Sequence, residues 1–285
     1  MLLSLLLAHC RRELARVPDA APSEAEILVS RVTGIPRGRL FLLGGEETGD
    51  AAGRLAPLLA RRAAGEPLQY LLGGWDFYGR EFLLTRDTLI PRPETEGLAE
   101  RALEVLRRKG AGFSLALDVG TGSGAIAVTL AAEVPGARVV ATDVSPGALR
   151  AARGNAERHG VASRVGFVLC DAYSALKCGG RFDVVVSNPP YVADGEWACL
   201  SPAIRGFEPP GALLGGPDGL SVLRRLAAGA DGLLAPGGEL WCEIGASQGA
   251  ATGSLPCGSL RFLGVFRDLA GRDRYAGWEK PGQER

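Results

Sequence analysis

The sequence predicts an α/β fold, in which a parallel sheet is covered by helices on both faces and is preceded by a small helical domain. From Ser114 onward, continuous apolar runs alternate with helical segments, a pattern typical of parallel strands that are buried on both faces. Up to about Gly74 the pattern is helical with short loops. At 285 residues the chain is long enough for one large and one small domain.

Residues 1–74 are predicted to form the helical bundle. Its first helix is expected at about Leu2–Val17 and its third at Arg54–Gly65. Between them a second helix is expected after Ser23, because Ser23 and Glu26 have the spacing of a capping box.

Residues 75–96 are predicted to form a β-hairpin and a linker, and residues 97–285 the main domain. Aromatic residues alternate around Gly79 in the stretch WDFYGREF, which indicates a hairpin. The expected helices are at 94–109, 123–133, 146–159 and 220–234. The expected strands are at 115–119, 138–144, 165–169, 182–187 and 239–244, with 261–268 and 275–279 as an antiparallel pair. The last five residues are expected to fray.

Composition argues against several classes of function. Lysines and arginines number 32 and acids also number 32, so the net charge is zero, whereas proteins that bind nucleic-acid phosphates usually have a basic excess. The six cysteines form no CxxC pair and there are only two histidines, so no metal site is expected. The apolar stretch Leu2–Ala8 is too short for a membrane span and lacks the flanks of an export signal. A cytoplasmic protein with reduced thiols is expected, without a membrane or direct nucleic-acid partner.

A glycine-rich turn, DVGTGSGA at Asp118–Ala125, lies between the first strand of the main sheet and its helix. Glycines let the backbone approach a bound cofactor, and the helix start is expected to present free amides. The next strand ends at Asp143, nineteen residues after Gly124, which suits an acid that binds a ribose diol. Nicotinamide and S-adenosylmethionine sites share these features. Asp118 ahead of the glycines gives D-x-G-x-G-x-G, which resembles motif I of class I methyltransferases.

Four of the predicted strands end in residues suited to ligand binding, namely Gly120, Asp143, Asp171 and Asn188. In a doubly wound sheet, ligands lie beyond the carboxyl ends of the strands, so these residues are expected to share one crevice. S-adenosylmethionine is the expected cofactor. Its candidate binding residues are Asp118, Gly120, Thr121, Gly122, Ser123, Gly124, Asp143, Asp171, Ala172 and Asn188.

The strand at 182–187 ends in SNPPY, where two prolines stiffen the chain and remove two backbone donors. An amide or exocyclic amine nitrogen is a poor nucleophile because its lone pair is delocalised. The side-chain oxygen of Asn188 and the carbonyl of Pro189 can hold the two N–H bonds of one planar NH₂ group, and Tyr191 offers it a ring face. The candidate catalytic and substrate-binding residues are Asn188, Pro189, Pro190 and Tyr191. The motif selects an NH₂ group on a planar carrier and leaves the carrier open.

Further motifs are spread from about Ala8 to Trp278. They are Glu66–Tyr70 (EPLQY), Leu89–Glu96 (LIPRPETE), Asp143–Leu149, Gly215–Leu220, Glu243–Gly245 and Asp268–Arg274. Together with NPPY they resemble the PrmC/HemK family, the N5-glutamine methyltransferases of peptide chain release factors. The resemblance implies a class I (Rossmann-like) S-adenosylmethionine-dependent sheet and, as acceptor, the glutamine of the release factor's Gly-Gly-Gln motif. It also implies that the helical domain helps to bind this protein substrate, and that Arg92 and Glu94 shape the entrance to the site.

Two positions depart from the family pattern. The acid after the third strand of the main sheet is followed by Ala172 where the family often has an aromatic residue, and Tyr173 stands one place late. This weakens the assignment of Ala172 to the adenine site. Pro210 replaces the arginine that usually follows Glu-Pro in the family.

Three other functions are compatible with parts of the pattern. An adenine-N6 methyltransferase of DNA or RNA would use the same NPPY chemistry, but it would need a surface that grips nucleic acid and room for a flipped base. A non-catalytic adaptor would not need the rigid amide clamp. A dehydrogenase would need an acid–base pair at its hydride site, which the sequence does not offer.

Overall fold

The computed structural model describes residues 1–110 and 112–282. The chain divides into two compact units, Met1–Gly74 with Ser201–Phe207, and Trp75–Leu200 with Glu208–Arg285. The hairpin and linker at 75–96 thus group with the sheet, and a short segment from the second half of the chain groups with the N-terminal helices. Fraying was expected for residues 281–285, of which 283–285 lie outside the described residues.

Ten α-helices and nine strands are found in the described residues. The helices are α1 (Leu3–Leu14), α2 (Glu24–Thr33), α3 (Ala51–Ala63), α4 (Leu68–Leu72), α5 (Pro93–Arg108), α6 (Ala125–Glu133), α7 (Pro146–Arg158), α8 (Pro202–Phe207), α9 (Ser221–Ala230) and α10 (Gly249–Thr252). The strands are β1 (Gly74–Phe77), β2 (Arg80–Leu83), β3 (Ser114–Val119), β4 (Ala137–Asp143), β5 (Val165–Leu169), β6 (Phe182–Ser187), β7 (Leu234–Glu243), β8 (Arg261–Arg267) and β9 (Asp273–Glu279).

The first unit holds a buried ion pair that the sequence did not predict. The side chains of Arg62 and Glu24 are 5% and 8% exposed and meet at 2.7 Å, joining α3 to the start of α2. The expected capping box is wrong, because Ser23 has a helical backbone (φ −77°, ψ −12°), whereas a capping serine needs an extended one. Glu24 instead accepts a hydrogen bond of 3.0 Å from the amide of Ala21.

The second unit contains a seven-stranded sheet in the order β5-β4-β3-β6-β7-β9-β8. The first five strands in this order are parallel, and β9 is antiparallel to both β7 and β8. The hairpin β1–β2 forms a separate two-stranded sheet. The predicted α/β class, parallel sheet and antiparallel final pair are confirmed.

Apolar cores cover both faces of the sheet because alternate residues of a strand face opposite sides. Ala116 and Val184, paired across β3 and β6, lie in the core that includes Leu98 and Leu103 of α5. Their neighbours Leu117 and Val185 lie in the opposite core, with residues of α9. Because both faces are covered, the central strands need apolar residues at successive positions.

Strand β7 begins earlier than predicted. The helix expected at 220–234 ends at Ala230, and β7 already starts at Leu234. Leu234 pairs with Phe182, but the next pair joins Glu239 to Val184, so the register shifts between them. The intervening Pro236-Gly237-Gly238 forms this irregularity, with Gly237 at φ +73°, a backbone conformation that favours glycine. Such a bulge within a strand was not evident from the apolar pattern.

Candidate active site

A cavity of about 360 Å³ lies in the second unit, at the carboxyl ends of β3, β4, β5 and β6. Its wall includes Gly120, Thr121, Gly122, Ser123, Asp143, Asp171, Ala172, Asn188, Pro189 and Pro190. The expected convergence of four strand ends on one crevice is therefore found. The volume lies within the range of roughly 300–1,000 Å³ typical of small-molecule sites.

Glycines in the turn leave open space in the cavity wall because they have no side chains. Gly120 and Gly122 have φ values of +72° and +55°, and no described atom lies within 4 Å of where their Cβ atoms would be. Gly124, at φ +81°, has a different role, since a Cβ there would lie 3.0 Å from the Cβ of Ala152. Two of the glycines thus leave room for a ligand, and the third lets α6 pack closely on α7.

The amides of the turn itself are largely engaged, whereas those of Ala125 and Ile126, at the helix start where free donors were expected, have no hydrogen-bond partner among the described residues. Those of Gly120 and Thr121 both donate to the carbonyl of Thr142 at 2.9 Å, and that of Gly124 donates to Thr121 at 2.8 Å. The amide of Gly122 donates to Asp143 Oδ2 at 2.9 Å. A turn of this kind supplies shape and open space, which suits a ligand without phosphate groups.

Asp118 lies beneath the turn and is not part of the cavity wall. It is 1% exposed, and its Oδ2 accepts hydrogen bonds from the Thr121 hydroxyl at 2.6 Å and the Ala127 amide at 3.1 Å. Burial raises the pKa of this carboxyl group to about 7. The predicted cofactor residue therefore holds the turn against α6.

Asp143 connects the turn to the next helix. Besides accepting from Gly122, its carboxylate accepts from the amide of Ser145 through Oδ1 at 2.9 Å, and it lies in the cavity wall. Each carboxylate oxygen has a second lone pair. Asp143 can therefore accept hydrogen bonds from a diol while its own position is held from two sides.

At the end of β5, Asp171 forms a two-point ion pair that was not predicted. Arg225 of α9 donates to both of its carboxylate oxygens, at 2.7 and 2.9 Å, and these hydrogen bonds lower the pKa of Asp171. Ala172 has φ +49°, and its carbonyl accepts from the Thr142 hydroxyl at 3.3 Å. Tyr173 packs in the core beside α9 and donates to the carbonyl of Leu226 at 3.0 Å. Ala172 and Arg225, not Tyr173, lie in the cavity wall.

Asn188 begins a chain of hydrogen bonds. Its Nδ2 donates to the hydroxyl of Thr95 at 3.1 Å, and this hydroxyl donates to Glu243 Oε2 at 2.7 Å. The hydroxyl of Tyr191 donates to the other oxygen of Glu243 at 3.3 Å. Since Nδ2 is engaged, Oδ1 is the end of the Asn188 amide left for the cavity. Tyr191 directs its hydroxyl to Glu243 and is not among the wall residues. The sequence had led us to expect its ring face in the site.

Buried surroundings perturb two groups in this chain. Burial raises the pKa of Glu243 to about 7, opposed by its hydrogen bond from Thr95 and by the charge of Arg274. Burial also raises the pKa of Tyr191 to about 12, and the neighbouring charge of Glu243 adds to the effect. Tyr191 is therefore a hydrogen-bond donor over the physiological pH range.

A glycine loop supports the backbone of the NPPY segment from behind. A Cβ at Gly215 would lie 2.5 Å from the carbonyl oxygen of Pro190, and one at Gly219 would overlap the carbonyl oxygen of Tyr191. Gln248 also donates to the Tyr191 carbonyl, at 3.0 Å. The motif GGPDGL thus contacts NPPY so closely that side chains at these two glycines would displace it.

The segment LIPRPETE lines the cavity with residues other than those predicted. Its wall residues are Leu89, Pro91 and Thr95, joined by Asp87 just before it. Arg92 instead pairs with Glu208 at 2.5 Å, and the side chain of Glu94 is exposed. Neither Arg92 nor Glu94 is among the wall residues, so the ion pair of Arg92 holds the linker to the loop after α8.

In the described part of the chain, no group of three or more His, Cys, Asp or Glu side chains is arranged to hold a metal ion. Within the same residues, none of the helices combines the length and apolar character needed to cross a membrane.

Comparisons with known proteins find family matches for the N-terminal helices and for the domain that contains the sheet. The family model for the methyltransferase small domain matches residues 102–214, and that for the PrmC N-terminal domain matches residues 6–73. A release factor glutamine methyltransferase of Cereibacter sphaeroides is 46% identical over 258 residues, covering 90% of each chain. One of Bordetella pertussis is 46% identical over 272 residues, covering 93% of this chain and 97% of the relative.

A solved structure shares the fold at low identity. The hMettl16 catalytic domain, solved in complex with a 3′UTR hairpin, superposes with a TM-score of 0.54 at 14% identity, covering 83% of this chain and 84% of that one. At this identity the likeness concerns the fold alone. The close relatives span both units of the chain and nearly its whole length, and on that evidence this chain belongs to the family of release factor glutamine methyltransferases.

Proposed function

We propose that this chain transfers a methyl group from S-adenosylmethionine to the side-chain amide nitrogen (N5) of the glutamine in the Gly-Gly-Gln motif of peptide chain release factors. The observation that carries the proposal is the Asn188 amide, whose nitrogen is held by Thr95 so that its oxygen remains for the cavity. The names of the close relatives support the choice of substrate. A substrate that acts in translation would place the enzyme in the cytoplasm.

The cavity fits S-adenosylmethionine by shape and by donor set. Gly120 and Gly122 leave open space in its wall, and Asp143 offers carboxylate oxygens suited to a ribose diol. The engaged amides of the turn fit a ligand that has no phosphate group. When bound, this cofactor supplies an electrophilic methyl group on a sulfonium that already carries its leaving group.

The acceptor end of the site can hold a planar NH₂ group. Asn188 Oδ1 is a hydrogen-bond acceptor, and Pro189, which lies in the same wall, carries a second acceptor in its backbone carbonyl. Holding both N–H bonds aims the nitrogen lone pair and favours the pyramidal nitrogen of the transition state. Methylation of this nitrogen would release to solvent one of the two N–H protons that Asn188 and Pro189 hold. Catalysis by these residues is mainly a matter of positioning.

Labelled S-adenosylmethionine, incubated separately with release factor and with DNA, tests the proposal. We expect label in the release factor, and none in a release factor whose Gly-Gly-Gln glutamine is replaced by alanine. Asn188→Ala is expected to lower kcat by about 100-fold or more while cofactor binding, measured by calorimetry, is retained. Label in DNA without label in the release factor would refute the substrate, and full activity in Asn188→Ala would refute the role of Asn188.

A further inference from the structure

The hydrogen-bond chain behind Asn188 links three segments that are far apart in sequence. Thr95 lies in the first turn of α5, Glu243 ends β7, and Asn188 follows β6. Thr95 and Glu243 are 5% and 1% exposed. Because water has little access to these groups, each hydrogen bond in the chain is strengthened and each unmade one is penalised.

The direction of this chain follows from the number of protons available. A threonine hydroxyl carries one proton, and that of Thr95 is donated to Glu243 Oε2 at 2.7 Å. While Glu243 is ionised and can only accept, the Thr95 oxygen is left to accept from Asn188, so Asn188 presents Nδ2 to it. Were the Thr95 proton free, it could equally donate to Asn188 Oδ1 and turn the nitrogen of the amide into the cavity.

We propose that Thr95 and Glu243 are positioning residues of the acceptor site, which together fix the oxygen end of the Asn188 amide towards the cavity. The proposal rests on the proposed function, since it concerns how the substrate amide is held. Neither residue touches the reacting nitrogen: Glu243 acts on Thr95, and Thr95 acts on Asn188. The wrong amide orientation would offer the substrate NH₂ group a donor where it needs an acceptor.

Thr95→Val removes the hydroxyl at nearly constant volume, and Thr95→Ser restores it. A matched control is Thr129→Val in α6, since Thr129 is also fully buried and its hydroxyl has no hydrogen-bond partner among the described residues. We expect kcat to fall by about 10- to 100-fold in Thr95→Val, with the KM for S-adenosylmethionine and its Kd within about twofold of wild type. Thr95→Ser and Thr129→Val are expected to keep kcat within about threefold.

Glu243→Gln, alone and combined with Thr95→Val, tests whether the two residues act in series. Because the link from Glu243 to Asn188 runs through Thr95, and glutamine keeps an oxygen that can accept from the Tyr191 hydroxyl, the second substitution is expected to change kcat of the Thr95→Val enzyme by less than about threefold. Multiplying effects in the double variant would overturn the series arrangement. A kcat of Thr95→Val close to that of wild type, or one that Thr95→Ser fails to restore, would overturn the proposal as a whole.

A second readout does not depend on methyl transfer. The side-chain amide of Asn188 gives ¹H–¹⁵N NMR signals that can be assigned by their loss in Asn188→Ala. These signals are expected to shift and to exchange faster with solvent in Thr95→Val, and to return to their wild-type positions in Thr95→Ser. Signals unchanged in Thr95→Val would refute the proposal even if the wild-type enzyme methylated no release factor, whereas that latter failure alone would refute only the proposed function.

Discussion

Alanine at Gly219 would disturb the acceptor site from behind. Gly219 has φ +74°, and a Cβ built there would overlap the carbonyl oxygen of Tyr191 and lie 2.6 Å from Gln248 Nε2. Ordinary contacts begin at 3.4 Å, so the Tyr191 backbone would have to move by roughly 1 Å. Gly160, after α7, has a similar φ of +69° with no described atom within 4 Å of its Cβ position. Gly160→Ala therefore reproduces the backbone strain without the displacement.

The expected effects of the two variants separate strain from positioning. The left-handed backbone costs about 1–2 kcal/mol for alanine, so Gly160→Ala should lose that much free energy of unfolding in urea denaturation, and Gly219→Ala should lose more because its Cβ also overlaps its neighbours. A misplacement of about 1 Å in an active site can lower the rate about 100-fold, so kcat should fall by that order in Gly219→Ala alone. Steady-state methylation of the release factor measures this difference. Equal kcat values for the two variants would refute the argument that GGPDGL positions NPPY.

Two predictions concern stability. A Cβ at Gly97 would overlap the hydroxyl of Tyr275, which is 5% exposed, so Gly97→Ala should lower the free energy of unfolding by about 1–2 kcal/mol. Gly154, in α7, has no described atom within 4 Å of its Cβ position, so Gly154→Ala should raise the free energy of unfolding by about 0.5–1 kcal/mol. Thermal denaturation that ranks the two variants the other way would contradict this packing. Burial raises the pKa of Asp118 from 3.8 to about 7, so its ionisation opposes folding. The contribution of Asp118 to the free energy of unfolding therefore falls as pH rises from about 4 to 7, by up to about 4 kcal/mol. The stability of Asp118→Asn relative to wild type should therefore increase between pH 5 and pH 8, and a pH-independent difference in urea unfolding would show that Asp118 does not titrate in this window.

The fold and the cavity's cofactor end were predictable because their signals are local. Apolar runs such as Val184–Val186 predict buried strands wherever they pair, and the turn at Asp118–Ala125 carries its glycines within eight residues. Rules for doubly wound sheets then place the strand ends together without knowledge of the packing. The bulge at Pro236–Gly238 was missed because the apolar pattern does not show it, although a proline and two glycines within a run are a signal for such a bulge.

The partners of the site residues were less predictable, because they depend on tertiary contacts. Thr95 lies within the motif IPRPETE, but the residues predicted from this motif were the charged Arg92 and Glu94. Helix α5 turns Thr95 inward, and Arg92 finds Glu208, 116 residues away. The hydrogen bonds of the Gly120 and Thr121 amides were likewise not predicted, because their acceptor, Thr142, lies on the neighbouring strand and not in the turn.

The burial of Glu243 is hard to explain by stability. Glu243 is 1% exposed, and burial, although opposed by its hydrogen bonds and by Arg274, still raises its pKa to about 7, so keeping it ionised at neutral pH opposes folding. Hydrogen bonds from Thr95 and Tyr191 and the charge of Arg274 offset part of this effect. A well-packed apolar side chain in place of a buried charge is often neutral or stabilising. What an apolar residue could not do is take the proton of Thr95 and so decide which end of the Asn188 amide meets the substrate. The energetic argument and the hydrogen-bond geometry therefore lead independently to a functional reason for Glu243.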